Sequence, residues 1–140
     1  MIEKNWILWE DEKFKVSTPK NPHIGPNEGC HIKVSPREKI EKSWDDPELA
    51  GETFELAARI SKVVIQEKLA DWINIQNNGN WGLLPGRKLN FHIHVYGRKK
   101  ERKTWGKPIK LPELPDTFKN QPLSGKEREI LKIRFKELLG

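Results

Sequence analysis

Two of the four histidines in the chain, His92 and His94, lie in the stretch Asn90-Phe91-His92-Ile93-His94-Val95-Tyr96, where polar and apolar residues alternate strictly. On a β-strand residues i and i+2 share a face, so this alternation predicts that His92 and His94 project side by side with Asn90 and Tyr96, while Phe91, Ile93 and Val95 face the other way. Two imidazoles held on one strand can divide a reaction between them: one attacks or ligates, and the other donates a proton or grips an anion. With His31 as a third member, the same histidines also make a three-ligand set for Zn²⁺.

The rest of the chain must position that strand. Residues 5–10 and 13–17 read as a hairpin turned at Asp11 and Glu12, followed by a turn-rich loop with Pro19, Pro22, Gly25, Pro26 and Gly29. A short extended stretch from His31 to Ser35 stops at Pro36. Asp45, Asp46 and Pro47 then open a helix, and apolar residues from Leu49 at three-to-four spacing carry it to about Ala70, with one face laid on a sheet. Ile73 to Gln76 resume a strand that Asn77, Asn78, Gly79 and Asn80 break, and residues 81–89 deliver the chain into the histidine strand. Four prolines at 108, 112, 115 and 122 forbid a regular helix over 103–123, which predicts an extended arm. Ser124, with Glu127 three residues on, caps a final helix to Leu139. This order predicts an antiparallel α+β fold, with residues 1–102 as one domain and the arm and last helix, 103–140, packed on it.

Composition sets the context. The chain has 140 residues and a formal charge of +6, and its single cysteine excludes an intrachain disulfide. No apolar run reads as a signal peptide or a membrane span, so a cytoplasmic protein without a membrane partner is expected. The positive charges crowd into Arg98, Lys99, Lys100, Arg102 and Lys103 directly after the histidine strand. That run reads as a binding surface for an anion, as a site for single-stranded nucleic acid together with nearby aromatic residues, or as a solvated basic loop. His23 reads as a surface histidine in the Pro-Gly loop, or as a residue of a substrate-facing edge formed by that loop, and Cys30 as a small core residue whose side chain points away from that of His31. Of the six tryptophans, Trp6, Trp9 and Trp72 read as packing residues, Trp81 falls in the glycine-rich loop just before the histidine strand, and Trp44 and Trp105 flank the mouth of the predicted site in sequence.

The segment Cys30-His31-Ile32-Lys33-Val34-Ser35-Pro36-Arg37, then the long helix, then Ile75-Gln76-Asn77-Asn78-Gly79, then His92-Ile93-His94-Val95-Tyr96-Gly97-Arg98 resembles the histidine triad (HIT) superfamily of nucleotide hydrolases and transferases. The resemblance covers residues 5 to 100 and implies an antiparallel sheet of about five strands with one long helix packed on it, extended here by the arm and C-terminal helix. The signature of the superfamily is HxHxHxx, and Asn90 stands at its first histidine, as in the galactose-1-phosphate uridylyltransferase branch. The resemblance implies that His92 is the nucleophile, His94 the third triad member and His31 the accessory histidine. Asn77 matches a position that supports the site by hydrogen bonds. Where many members carry glutamine and serine or threonine before the triad, this chain has Gly86, Arg87 and Lys88. Arg87 is expected to clamp phosphate, with Lys88 turned elsewhere, and Asn90 and Arg98 complete the expected nucleotide- and phosphate-binding set.

The chemistry so implied is attack of unprotonated His92 on the α-phosphorus of a dinucleoside polyphosphate or nucleoside phosphoramidate, giving a nucleotidyl-histidine intermediate that water or an acceptor releases. Nothing in this scheme requires a cofactor, and a bound Mg²⁺ or Zn²⁺ is compatible with it. The resemblance implies a nucleotide partner and a homodimer, with Trp6 or Trp9 available to stack on the base. Two alternatives stand beside the hydrolase or transferase: a nucleotide-binding protein with weak turnover, and a single-stranded nucleic-acid binder that uses residues 98–103.

Overall fold

The computed structural model describes residues 3–114 and 119–140. Pro115, the third proline of the predicted arm, lies outside the described residues.

Five strands form one antiparallel sheet: β1 (Ile7–Glu10), β2 (Phe14–Ser17), β3 (Gly29–Pro36), β4 (Trp72–Gln76) and β5 (Ile93–Arg98), in the spatial order β1-β2-β3-β5-β4. The β1–β2 hairpin turns where Asp11 Oδ1 accepts the backbone N–H groups of Lys13 and Phe14 at 2.8 and 2.6 Å. The side-chain period of two divides the sheet into a dry face and a wet one. Val16, Cys30, Ile32, Val34, Ile93 and Val95 turn to the dry face, and each is buried. Helix α1 (Pro47–Gln66) packs there against β3, β4 and β5 through Leu49, Leu56, Ala57, Ile60, Val63 and Val64. Helix α2 (Gly125–Leu139) adds Leu131 and Phe135 to the same core and contacts β1 and α1. Both helices thus lie on one side, leaving His31, Lys33, His94, Tyr96 and Arg98 on the other. No helix of the described residues is long and apolar enough to cross a membrane.

Local signals act largely as the sequence predicts. Asp46 caps α1 by accepting Leu49 N–H at 3.1 Å with Pro47 in the first turn, and Ser124 and Glu127 form a reciprocal capping box on α2. Three elements differ. Helix α1 ends at Gln66 rather than near Ala70, because Lys68 adopts a left-handed conformation (φ 59°) that helix cannot continue through. The histidine strand begins at Ile93 rather than Asn90: Phe91 donates its N–H to the Ile40 carbonyl at 2.8 Å, outside the sheet ladder. The start of the predicted arm is folded into turns over 101–107, held by Arg98 beneath it.

One close approach brings β3 and β5 together. Gly29 pairs with Arg98 at a φ of +150°, and a Cβ on it would stand 1.7 Å from the Gly97 carbonyl oxygen. Glycine is therefore obligatory there.

Candidate active site

Strand register assembles the site. His31 is paired with Tyr96 and Lys33 with His94 across β3 and β5, while Asn74 and Gln76 of β4 oppose Tyr96 and His94 from the other side. His92 precedes β5, yet its ring still reaches His94, with centroids 4.6 Å apart. The two imidazoles therefore meet as the alternation predicts, although only one of them sits on the strand proper.

Hydrogen bonds link the rings in one direction. The backbone N–H of His23 donates to His31 Nδ1 at 3.0 Å, so the proton of a neutral His31 is on Nε2. That Nε2 lies 2.8 Å from His94 Nδ1, and His94 Nε2 lies 3.1 Å from His92 Nε2. At the far end His92 Nδ1 lies 2.7 Å from the Asn90 carbonyl, which can only accept, so His92 carries its proton on Nδ1 and its lone pair on Nε2. A donor-only group at one end and an acceptor-only group at the other independently dictate the same tautomers. Asn77 Nδ2 donates to the His92 carbonyl at 3.0 Å and steadies the segment from the β4 side.

The neutral form is favoured throughout. Burial pushes His31 well below the ordinary histidine value and His94 to about 2, and it lowers His92 against the opposing bond to the Asn90 carbonyl. His23 is pushed down to about 4 by burial and then by the Lys33 ammonium, whose charge also reaches the other three rings.

His23 is not a surface histidine. Its ring lies 4.3 Å from that of His31 and 5.3 Å from that of His94, and its Nδ1 is 2.8 Å from Tyr96 Oη. The loop that carries it is held from two sides: Asn120 donates to the Pro22 and His23 carbonyls at 3.0 and 3.1 Å, and Lys99 and Arg102 donate to the Pro26 and Asn27 carbonyls. A loop of proline and glycine predicts nothing about which way its histidine turns, and the residues that hold this loop in place lie 73 to 98 positions along the chain.

A cavity of about 370 Å³ opens over the rings, lined by His23, Lys33, Asn78, Trp81, Lys88 and His92 among others. Trp81 sits edge-on to His23 at 5.5 Å, so the aromatic ring at the site is Trp81; neither Trp6 nor Trp9 lines the cavity. Trp6 instead lies under the Arg128 guanidinium at 4.2 Å, and Trp72, expected to pack, is 62% exposed.

Two expected phosphate ligands sit elsewhere. Arg98 is buried, and its guanidinium donates to Asn74 Oδ1 at 3.2 Å, to the Lys107 carbonyl at 2.7 Å and to the Thr104 carbonyl. It is a structural clamp on the turn that follows β5. Arg87 is exposed and does not line the histidine cavity, whereas Lys88 does. The expectation for that pair assumed strand alternation, and residues 84–92 are not a strand. Of the five cations of the basic run, Arg98, Lys99 and Arg102 are committed to carbonyl oxygens, which leaves Lys100 and Lys103 for an outward-facing surface.

His23, His31 and His94 each present a ring nitrogen within 4.8 Å of the others, and three neutral imidazoles suit Zn²⁺. The group contains no carboxylate, so it does not suit Mg²⁺, which takes oxygen ligands. His92 is not a member, although the sequence grouped it with His31 and His94. A metal taken by His31 displaces one of its present hydrogen bonds, that of Nδ1 to the His23 N–H or that of Nε2 to His94.

No family model and no curated protein matches the chain. Solved structures do. A zinc-bound histidine triad family protein from Mycobacterium smegmatis superposes with a TM-score of 0.68 at 21% identity, covering 94% of this chain and 84% of that one. A histidine triad protein from Sinorhizobium meliloti gives 0.67 at 16% identity over 96% and 89%. A hypothetical histidine triad nucleotide-binding protein from Sulfolobus tokodaii gives 0.62 at 19% identity over 94% and 81%. At these identities the likeness is one of backbone architecture over nearly the whole chain: the chain has the histidine triad (HIT) fold.

Proposed function

We propose that the chain is a HIT-type nucleotide hydrolase or nucleotidyltransferase in which His92 Nε2 attacks the α-phosphorus of a nucleoside phosphate derivative. The observation that carries this reading is the bond between His92 Nδ1 and the Asn90 carbonyl, because it leaves the lone pair on Nε2, the nitrogen turned toward His94. A nucleophilic imidazole must be neutral when it attacks, and burial shifts His92 toward that form.

In the free protein the lone pair accepts from His94 Nε2–H at 3.1 Å. A phosphoryl group entering the cavity displaces this contact, and the His94 N–H turns to a non-bridging oxygen as charge builds there. His31, donating to His94 Nδ1, keeps that N–H pointed at the substrate. The lone pair forms the N–P bond, the bond to the leaving group breaks with its electron pair on the departing atom, and water or an acceptor later takes the nucleotidyl group from His92. No step requires Asn90 to carry an imidazole. Trp81, on the cavity wall, offers a flat apolar surface to the nucleoside.

Turnover of diadenosine tetraphosphate, adenosine diphosphate and a nucleoside phosphoramidate, compared between the parent chain and His92→Ala, tests the assignment. Product formation that disappears in the variant supports it; equal rates in both contradict it.

A further inference from the structure

Past His92 the wet face of the sheet opens into a second concavity of about 370 Å³, whose lining includes Lys15, Lys33, Ser35, Lys39, Asn90 and His92. Register explains the convergence. Lys15 pairs with Ser35, Ser17 with Lys33 and Lys33 with His94, and paired residues share a face, so Lys15 and Lys33 stand in line with the triad. Arg37 also lines this groove but is bonded to the Asp11 carbonyl at 2.6 Å and to Glu10 at 2.5 Å. Among the described residues no ion pair engages Lys15, Lys33 or Lys39, and Glu38 is the groove's only carboxylate.

Three cations facing one carboxylate leave an excess of positive charge in the groove, which is unfavourable by itself. Lys33 is partly buried, and desolvation pulls its ammonium below the ordinary lysine value. An anion in the groove relieves both costs. Lys33, Asn90 and His92 line this groove and the histidine cavity alike, so the two spaces join at the nucleophile.

We propose that this groove is a second anion subsite, which holds the phosphate-bearing leaving group of the reaction at His92, with Lys33 as the cation shared by both halves of the site. The inference rests on the nucleotidyl-transfer reading. As the N–P bond forms and the P–O bond breaks, the electron pair stays on the leaving oxygen, so the leaving group gains one negative charge while it faces Lys33 and Lys15. An amine leaving group departs neutral only after taking a proton, and gains nothing from these lysines. The groove therefore selects polyphosphate-bearing substrates over phosphoramidates.

The test is binding of inorganic triphosphate by calorimetry to the full chain and to Lys33→Met, Lys33→Arg and the pair Lys15→Met with Lys39→Met, with adenosine as a phosphate-free control. The expected result is at least tenfold weaker triphosphate binding in Lys33→Met and in the pair, recovery in Lys33→Arg, and unchanged adenosine binding. Triphosphate affinity indifferent to all three lysines overturns the proposal, as does parallel loss of triphosphate and adenosine binding. The two readings fail separately. Lysine-dependent triphosphate binding without any His92 adduct leaves the anion subsite and removes the nucleotidyl reading; an adduct with lysine-independent triphosphate binding does the reverse.

Discussion

His92 Nδ1 lies 2.7 Å from the carbonyl oxygen of Asn90, a contact made by backbone that every residue type supplies at position 90. The departure from the HxHxHxx signature therefore spares the group that orients the nucleophile. Asn90→Ala is expected to change kcat by less than about threefold, since no side-chain bond to His92 is lost. Asn77→Ala removes the donor to the His92 carbonyl and should lower kcat about fivefold, the equivalent of about 1 kcal/mol for one hydrogen bond. Steady-state kinetics of the two variants side by side decide the point; a larger effect at Asn90 contradicts it.

His31 sets the direction of the chain of rings. Its Nε2–H holds His94 Nδ1 as an acceptor, so His31→Leu frees His94 to carry its proton on the wrong nitrogen and leaves a buried acceptor unsatisfied. The expected loss in kcat is about tenfold or more, with KM changed less, because the ring does not line the cavity. Nitrogen-resolved NMR of the His94 imidazole should show a tautomer mixture in the variant and one tautomer in the parent.

Acid acts on stability and on activity through the same groups. The folded-state values of His23 and His94 are lowered, to about 4 and about 2, from an unfolded value near 6.5. The unfolded chain thus binds more protons below pH 6.5, so stability is complete above that value and declines as pH falls through 6.5 toward 4. Because His92 is lowered as well, the acid limb of kcat/KM should lie below 6.5. Thermal melts and rates from pH 8 to 4 check both; an acid limb above 6.5 contradicts the burial of His92.

How far the sequence carries is visible residue by residue. Strand alternation brings His92 and His94 together, and caps at Asp46 and Ser124 place both helices, because these signals act within a few residues of themselves. His23 was illegible because its position depends on Asn120 and the Asn27–Arg102 contact, far along the chain. Lys33 alternates with buried Ile32 and Val34 and carries a legible signal, a lysine two residues after His31 on the same face, but only the cavity reveals what it faces. Arg98 misleads for the opposite reason: a cation after the triad reads as a ligand until its guanidinium is found bonded to the turn above it.

Zinc should inhibit. Binding to His23, His31 and His94 takes a nitrogen of His94 out of its chain of hydrogen bonds, so micromolar Zn²⁺ is expected to lower turnover and a chelator to restore it. His23→Ala removes one ligand but keeps the backbone N–H to His31, and should abolish the inhibition while retaining most activity. Inhibition of equal strength in that variant would place the ion elsewhere.

The most direct test of the central claim is intact-protein mass spectrometry after a brief, acid-free quench of the protein mixed with diadenosine tetraphosphate, run beside His92→Ala. A mass increase of one nucleotidyl group on the parent chain, absent from the variant, is the predicted result. Product released without an adduct, or an adduct that persists in the variant, contradicts nucleophilic catalysis at His92 Nε2.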